Sequence, residues 1–192
     1  MPVSNPAAME FLLSRRSRPA KTLTAPGPDR EALMPMLTAA ARTPDHGKLE
    51  PWRFVVLEGA ALDRMAHEVG TAGARLGKDE ADIAKAASSF SNSPLCVAVI
   101  EIGKDSPKVP AIEMTYSAGA VCLALLNAAL ASGWGANWLS GWASHDRGFL
   151  RDALGLADTE KVAGFIHIGT ETSAPPERPR PDLETVVTWV SE

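Results

Sequence analysis

Arginine is the residue type whose spacing in this chain points most directly to chemistry. Arg15 and Arg16 stand side by side with Ser17 after them, and Arg178 and Arg180 alternate with prolines near the other end. The planar guanidinium suits bidentate contact with phosphate oxygens. Two or three charge-assisted hydrogen bonds, each contributing about 1.5–3 kcal/mol, can outweigh the desolvation of one phosphate monoester. We therefore predict an anion site, with solvated surface charge as the alternative for any single arginine.

A second group is the stretch "NWLSGW", which contains Trp138, Leu139, Ser140 and Gly141. Glycine lets a backbone N–H come close to a flat ligand, and tryptophan faces make an apolar slot. The pattern favours contact with a planar ring. Core packing at a turn explains the same residues equally well.

A third group is the loop "RTPDHGKLEPW", which places Arg42, His46 and Lys48 in a polar stretch that Pro51 and Trp52 close. A surface connector does not need the aromatic residue, and a core strand does not need the charges. The loop therefore indicates a polar edge facing a ligand, in front of a buried strand.

Several other kinds of site lack their sequence patterns. The chain has no HExxH and no CxxC pair, so we expect no metal site. The segment "GTAGARLGKDE" fails the phosphate-loop pattern because Ala72 and Asp79 stand where Gly and Ser or Thr are required. In "GWGANW", Trp138 takes the place of the third glycine of a dinucleotide fingerprint.

Composition predicts one globular domain over residues 1–192. Its 45% hydrophobic and 22% charged residues are ordinary for a soluble protein, and the net charge of -4 argues against nucleic acid or an anionic membrane as a partner. Cys96 and Cys122 stand in apolar runs, which predicts reduced, buried thiols. The N-terminal residues lack the order of a secretory signal, so we expect a cytoplasmic protein.

The positioning elements alternate between helical and strand patterns. Helices are predicted at residues 6–14, after an Asp29 cap, in "ALDRMAHEV", in "KDEADIAKAASSF" and over the apolar run that contains "SAGAVCLALLNAAL". Strands are predicted at "RFVVLEG", "LCVAVIEI" and "KVAGFIHIGT", the second of them central in its sheet. Ser144 is predicted to cap a helix that ends before Gly155, and the tail is predicted to end in an edge strand. This order indicates a mixed α/β or α+β sandwich.

The stretch from Ala118 to Ala143 has no charged residue and is long enough to span a bilayer. Asn127 lies inside it, and glycines cluster in its second half. A buried helix, a glycine turn and a short aromatic segment fit this pattern better than a membrane span.

Taken in chain order, these pieces resemble the flavin-dependent nitroreductase family. The matching stretches, which together cover almost the whole chain, are "RRSRPAK", "RTPDHGKLEPWRFVVLEG", "SAGAVCLALLNAAL", "GWGANWLSGW", "LGLADTEKVAGFIHIGT" and "PPERPRPDL". The short length and the loop "PDHGKLEPW" are similar to the compact NAD(P)H nitroreductase branch. The resemblance implies an α+β three-layer sandwich, with a central, mostly antiparallel sheet flanked by helices. It also implies a homodimer with one FMN per subunit in the cleft between the chains.

The resemblance assigns the arginines to the FMN phosphate. Arg15, Arg16 and Ser17 would contact the phosphate and the ribityl chain. Arg178 and Arg180 match the basic pair that closes on the phosphate.

The other two groups would contact the flavin ring. The segment from Trp138 to Gly141 would lie against the isoalloxazine, with the backbone N–H groups of Ser140 and Gly141 near N5. Arg42 and His46 match positions that reach the flavin, from the same subunit or from its partner. The loop departs from the family pattern, since Lys48 stands where many members have Asn. Lys48 is then a candidate for the N1–O2 edge.

The implied reaction is a ping-pong transfer of hydride from NADH or NADPH to the flavin, and then to an acceptor such as a nitroaromatic or a quinone. No side chain is expected to be an obligate catalytic acid. One alternative is a flavin-binding module that stores, senses or delivers FMN with little turnover. Others are a different reductive reaction on the same scaffold and an α/β protein without any cofactor.

Overall fold

The computed structural model describes residues 3–192, and that range contains seven α-helices and five β-strands. The helices are α1 (Pro6–Ser14), α2 (Arg30–Ala40), α3 (Ala60–Arg75), α4 (Glu80–Ser91), α5 (Ala111–Ala131), α6 (Arg147–Leu154) and α7 (Leu183–Val186). The strands are β1 (Leu23–Thr24), β2 (Trp52–Glu58), β3 (Leu95–Ile102), β4 (Gly135–Leu139) and β5 (Glu160–Glu171). Short 3-10 turns cover Ala20–Thr22, His46–Lys48 and Trp142–His145.

Every strand pair in the described range is antiparallel. Strand β3 lies between β2 and β5, while β1 and β4 both pair with β5. Residues 95–101 of β3 are all buried, because helices cover both faces of the sheet there. The prediction of a central strand at "LCVAVIEI" is therefore confirmed.

Strand β3 divides the interior into two cores. Its even-numbered residues from 96 to 100 pack with α3, α4 and α6, and its odd-numbered residues from 95 to 99 pack with α2 and α5. Successive side chains of a strand point to opposite faces, so one apolar run serves both cores. The result is the expected α+β three-layer sandwich.

Helix α5 is the one helix of the described residues whose length and composition would also fit a membrane span. In the fold, Val121, Cys122 and Leu125 are buried in the core that α5 shares with α2 and the sheet. This position fits the predicted buried helix. Cys96 and Cys122 are both free and buried, as expected, and burial raises the pKa of both thiols.

Two predicted details are wrong. Helix α6 has Asp146 as its N-cap, with the carboxylate accepting from the Phe149 N–H at 2.8 Å, while Ser144 lies in the preceding 3-10 turn. Residues 187–192 form no strand. An apolar sequence becomes a strand only when it pairs and packs, and this tail lies beyond the last strand with Trp189 exposed. The predicted C-cap at Gly155 is confirmed by its left-handed φ of 66°.

Candidate functional site

The two ends of the chain meet through the short strand β1. It pairs with the last two residues of β5. Beyond that pairing, Thr172 donates both its N–H and its hydroxyl to the Thr22 carbonyl, each at 3.0 Å. Residues just before β1 and just after β5 therefore lie side by side, although 150 positions separate Thr22 from Thr172.

The predicted arginine groups come together at this junction. Arg16 donates from Nη2 to the Pro176 carbonyl at 3.0 Å, and its Nε lies 3.9 Å from Oε1 of Glu177. The same Oε1 accepts from Nη2 of Arg180 at 2.9 Å and from the N–H of Arg178 at 2.8 Å. Glu177, which sequence reasoning passed over, therefore links the N-terminal and C-terminal arginines.

Positive charge is concentrated around Arg15. Burial lowers the pKa of its guanidinium, and the charges of Arg180, Arg16 and Arg18 lower it further. Nη2 of Arg15 donates to Oγ of Ser17 at 2.9 Å, so these two predicted residues contact each other. The Nε atoms of Arg15 and Arg16 are buried without a hydrogen-bond partner among the described residues. Neighbouring guanidinium groups with unpaired N–H donors can bind an anion.

Strand β4 leads from this arginine cluster to the second predicted group. The N–H of Arg18 donates to the Ala136 carbonyl at 2.8 Å, and Nδ2 of Asn137 donates to the Arg18 carbonyl at 2.7 Å. These bonds fix the segment after α1 to the first half of β4. Ser140 and Gly141 follow the other end of the same strand.

A cavity of about 260 Å³ opens where β4 ends. Leu139, Ser140 and Gly141 line one side of it. Its apolar floor includes Phe90 and Phe165. Aromatic and aliphatic walls beside exposed backbone are suited to a flat, largely apolar ring.

A polar face of α4 that sequence reasoning missed also lines the cavity. Asp82, Lys85 and Ser89 line it at spacings of three and four residues, which place them on one side of the helix. The recurrence of polar residues at helical spacing along α4 was the signal that could have found them. Only the structure shows that this face meets the segment after β4, more than fifty residues later in the chain.

A serine side chain accepts a hydrogen bond from the backbone just after β4. Gly141 is extended, with φ 178°, and its N–H donates to Oγ of Ser144 at 3.3 Å. Trp138 does not line the cavity. Its half-exposed indole lies across Gly164, where an added Cβ would be 2.0 Å from the indole Nε1.

Comparison with known proteins decides the family. A profile described as the nitroreductase family matches residues 12–170, which is most of the chain. The chain belongs to the nitroreductase family. The matched range ends before Arg178 and Arg180, so the position of these two residues in this family member comes from the structure.

Curated relatives of this nitroreductase-family chain cover most of its length. It is 36% identical over 163 residues to the Escherichia coli (strain K12) protein named "Putative NAD(P)H nitroreductase YdjA", covering 85% of this chain and 87% of that one. A Haemophilus influenzae protein named "Putative NAD(P)H nitroreductase" is 34% identical over 165 residues, covering 85% and 88% of the two chains.

Solved structures share the fold at lower identity. The nitroreductase-like family protein from Bacillus cereus superposes with a TM-score of 0.80 at 22% identity, covering 99% of this chain and 98% of that one. The FMN and NADPH-dependent nitroreductase NfnB from "sphigopyxis sp. strain HMH" superposes with a TM-score of 0.72 at 20% identity, covering 96% and 99%. These likenesses confirm the nitroreductase-like fold.

The third predicted group lies apart from the first two in a single chain of this family member. Nδ1 of His46 contacts Oε2 of Glu113 on α5 at 2.6 Å, and Arg42 lies in the turn after α2. Lys48 has a left-handed φ of 54°, so the loop is held in a strained conformation. Within the described residues, no hydrogen bond or ion pair joins Arg42, His46 or Lys48 to the arginine cluster or to the cavity.

Proposed function

We propose that this nitroreductase-family protein is an FMN-dependent oxidoreductase. It would pass hydride from NADH or NADPH to an acceptor such as a nitroaromatic or a quinone, in ping-pong order. When bound, FMN supplies the redox chemistry by accepting hydride at N5 and passing it on, and the protein supplies binding, orientation and shielding. The observation that carries the proposal is the convergence of Arg15 and Arg16 with Arg180 and the backbone N–H of Arg178, while the Nε atoms of Arg15 and Arg16 are buried and unpaired.

The arginine cluster fits a phosphate monoester. The unpaired Nε atoms of Arg15 and Arg16 would donate to its oxygens, and Arg180 would close from the C-terminal side. The Ser17 hydroxyl, which Arg15 contacts, would reach the ribityl hydroxyls. In this arrangement the arginines bind and orient, and they take no part in the redox step.

The cavity after β4 fits the ring end of the same ligand. The distance along the strand from Ala136, which lies beside the arginine cluster, to Ser140 is about 13 Å, since the two are four residues apart in extended chain. A phosphorylated five-carbon chain that carries a three-ring head can bridge such a span. Ser140 would then present its backbone N–H to N5, with Leu139 beside the ring, and the Gly141 N–H would do the same only after leaving the Ser144 hydroxyl. Trp138, whose indole lies across Gly164, would contact the ring only in another rotamer. Lys85, which lines the cavity, would supply positive charge for the polar edge of the ring.

Arg42, His46 and Lys48 would act on the flavin of the partner subunit in a homodimer. The separation of their loop from the cavity within one chain supports this assignment. An exposed apolar stripe on α5 is a suitable dimer surface, because Ile112, Tyr116 and Leu123 are 51%, 67% and 45% exposed. We expect size-exclusion chromatography with light scattering to report a dimer. Leu123→Glu should weaken this dimer. Leu76→Glu should leave it intact, because Leu76 is also exposed (41%) but lies at the C-cap of α3.

The deciding experiment measures flavin first and turnover second. The visible absorption spectrum of the purified protein, followed by identification of the released nucleotide, tests whether the ligand is FMN. Oxidation of NADH and NADPH with and without a nitroarene then separates an enzyme from a module that only binds flavin. A module would give background rates in every arm.

The phosphate assignment has its own test. Arg16→Ala and Arg180→Ala should each weaken FMN binding about tenfold or more, because roughly 1.4 kcal/mol corresponds to a factor of ten. Arg64→Ala, on the exposed face of α3, is the matched control and should leave binding unchanged. Unchanged FMN affinity in both cluster variants would refute the assignment.

A further inference from the structure

Glu177 occupies the place where the arginine cluster needs an anion. Its Oε1 accepts from the Arg178 N–H at 2.8 Å and from Arg180 Nη2 at 2.9 Å, and it lies 3.9 Å from Arg16 Nε. The N–H of Arg178 holds the pKa of this carboxyl below its usual range, and the charges of Arg180 and Arg16 act in the same direction. The side chain is therefore ionised at neutral pH.

The carboxylate satisfies this cluster only in part. All three donors converge on one oxygen, Oε1, and the distance to Arg16 Nε is too long for a hydrogen bond. The Nε atoms of Arg15 and Arg16 remain buried and unpaired. A phosphate monoester has three terminal oxygens, each with more than one lone pair, and more negative charge, so it could accept from all four of these donors.

The segment that carries Glu177 is attached to the rest of the fold by few contacts. Arg16 bonds the Pro176 carbonyl at 3.0 Å, and the Glu177 side chain itself is 69% exposed. Pro175, Pro176, Pro179 and Pro181 keep the backbone around it extended. A carboxylate on such a segment can leave the arginines without disturbing the sheet.

We propose that Glu177 is an internal counter-ion of the anion site, which an incoming phosphate must displace, and that it thereby sets how strongly the site prefers phosphorylated to unphosphorylated flavin. This inference rests on the proposed function for its choice of ligand. A flavin without phosphate can bind while Glu177 stays in place. A flavin with phosphate has to displace the Glu177 carboxylate from the arginines. The loss of the carboxylate's contacts then offsets part of the binding free energy of the phosphate.

The test compares two flavins on Glu177→Gln and on a matched control. The control is Glu184→Gln, because Glu184 is also an exposed carboxylate of the C-terminal segment but has no ion pair among the described residues. FMN and riboflavin are titrated into flavin-free protein at low ionic strength, and binding is followed by quenching of flavin fluorescence. We expect Glu177→Gln to tighten FMN binding by up to about fivefold, the scale on which an exposed ion pair shifts an equilibrium. Riboflavin affinity should stay the same, and Glu184→Gln should match the wild type with both ligands.

The outcomes separate this inference from the proposed function. If the wild type binds FMN but Glu177→Gln weakens it, leaves it unchanged or shifts both flavins equally, the counter-ion role is wrong and the flavin proposal stands. If the wild type binds no flavin, the proposed function fails, and titration with inorganic phosphate still tests Glu177. Tighter phosphate binding by Glu177→Gln than by Glu184→Gln would support the counter-ion role, and equal binding would refute it.

Discussion

We predict that the buried histidine in the wall of the cavity makes the stability of this protein depend on pH. His167 is 1% exposed, and its Nδ1 lies 3.0 Å from Oγ of Ser93. Since that hydroxyl donates to the Leu95 carbonyl at 2.9 Å, Nδ1 must carry the hydrogen and Nε2 must be the bare nitrogen. Nε2 faces Sγ of Cys96 at 4.0 Å, and the ring lies against Phe90. Such surroundings offer nothing to stabilise a second proton.

The size of the effect follows from the pKa of His167. Burial lowers it to about 4, against 6.5 for the free side chain. As the pH falls, the unfolded chain therefore takes up the proton first. The stabilisation is complete above pH 6.5, declines between pH 6.5 and 4, and is fully lost once the pH has fallen through 4. One pKa unit corresponds to about 1.4 kcal/mol, so the whole difference corresponds to about 3 kcal/mol. About 2 kcal/mol of this should be lost between pH 7 and pH 5.

The assay is urea unfolding at pH 7 and at pH 5, with the free energy of unfolding extrapolated to water. His167→Asn keeps a donor for Ser93 but cannot titrate, so its stability should change little between the two pH values, whatever its absolute level. His67→Asn removes an exposed histidine of α3 and should fall with pH as the wild type does. An equal fall in the wild type and in His167→Asn would refute the reasoning.

Three further changes test local features of the fold. Lys48→Gly should be more stable to urea than Lys48→Ala by about 1 kcal/mol, because both lose the charge but only glycine accepts a φ of 54° without strain; equal stability would mean that the loop is unstrained. Gly164→Ala should lose about 1–3 kcal/mol, since its Cβ would meet the Trp138 indole at 2.0 Å. Adding Trp138→Leu should restore part of that loss in the same unfolding assay, and strictly additive effects would count against the contact. Asp146→Ala should lose about 1–2 kcal/mol in thermal or urea unfolding, because it loses the bond from the Phe149 N–H and the ion pair with Arg75, and Asp146→Asn less, because it loses the charge but retains the cap; the opposite order would contradict the capping role.

Patterns within one element were enough to predict most of the fold. A strand covered on both faces must be apolar throughout, so "LCVAVIEI" indicated the central strand directly. The cap of α6 was predicted wrongly because Ser144 and Asp146 are both good N-caps two residues apart. What decides between them is the Gly141 N–H, which uses the Ser144 hydroxyl. That contact spans only three residues, but it belongs to the separate 3-10 turn Trp142–His145, which the prediction of one helix starting at Ser144 did not include.

The candidate site was harder to predict because it is made by pairing between distant strands. Residue type alone indicated that the arginines could bind an anion. Their convergence depends on β1, which is only two residues long and therefore too short to show a strand pattern in the sequence. Its pairing with the end of β5 brings Arg16 to Glu177 across the whole chain. The same dependence explains why sequence reasoning passed over Glu177. A glutamate among arginines is expected to repel a bound anion, and only the structure shows that its carboxylate accepts hydrogen bonds from Arg178 and Arg180. On our proposal for Glu177, an acidic residue inside a basic cluster marks the place of the anion as the arginines do.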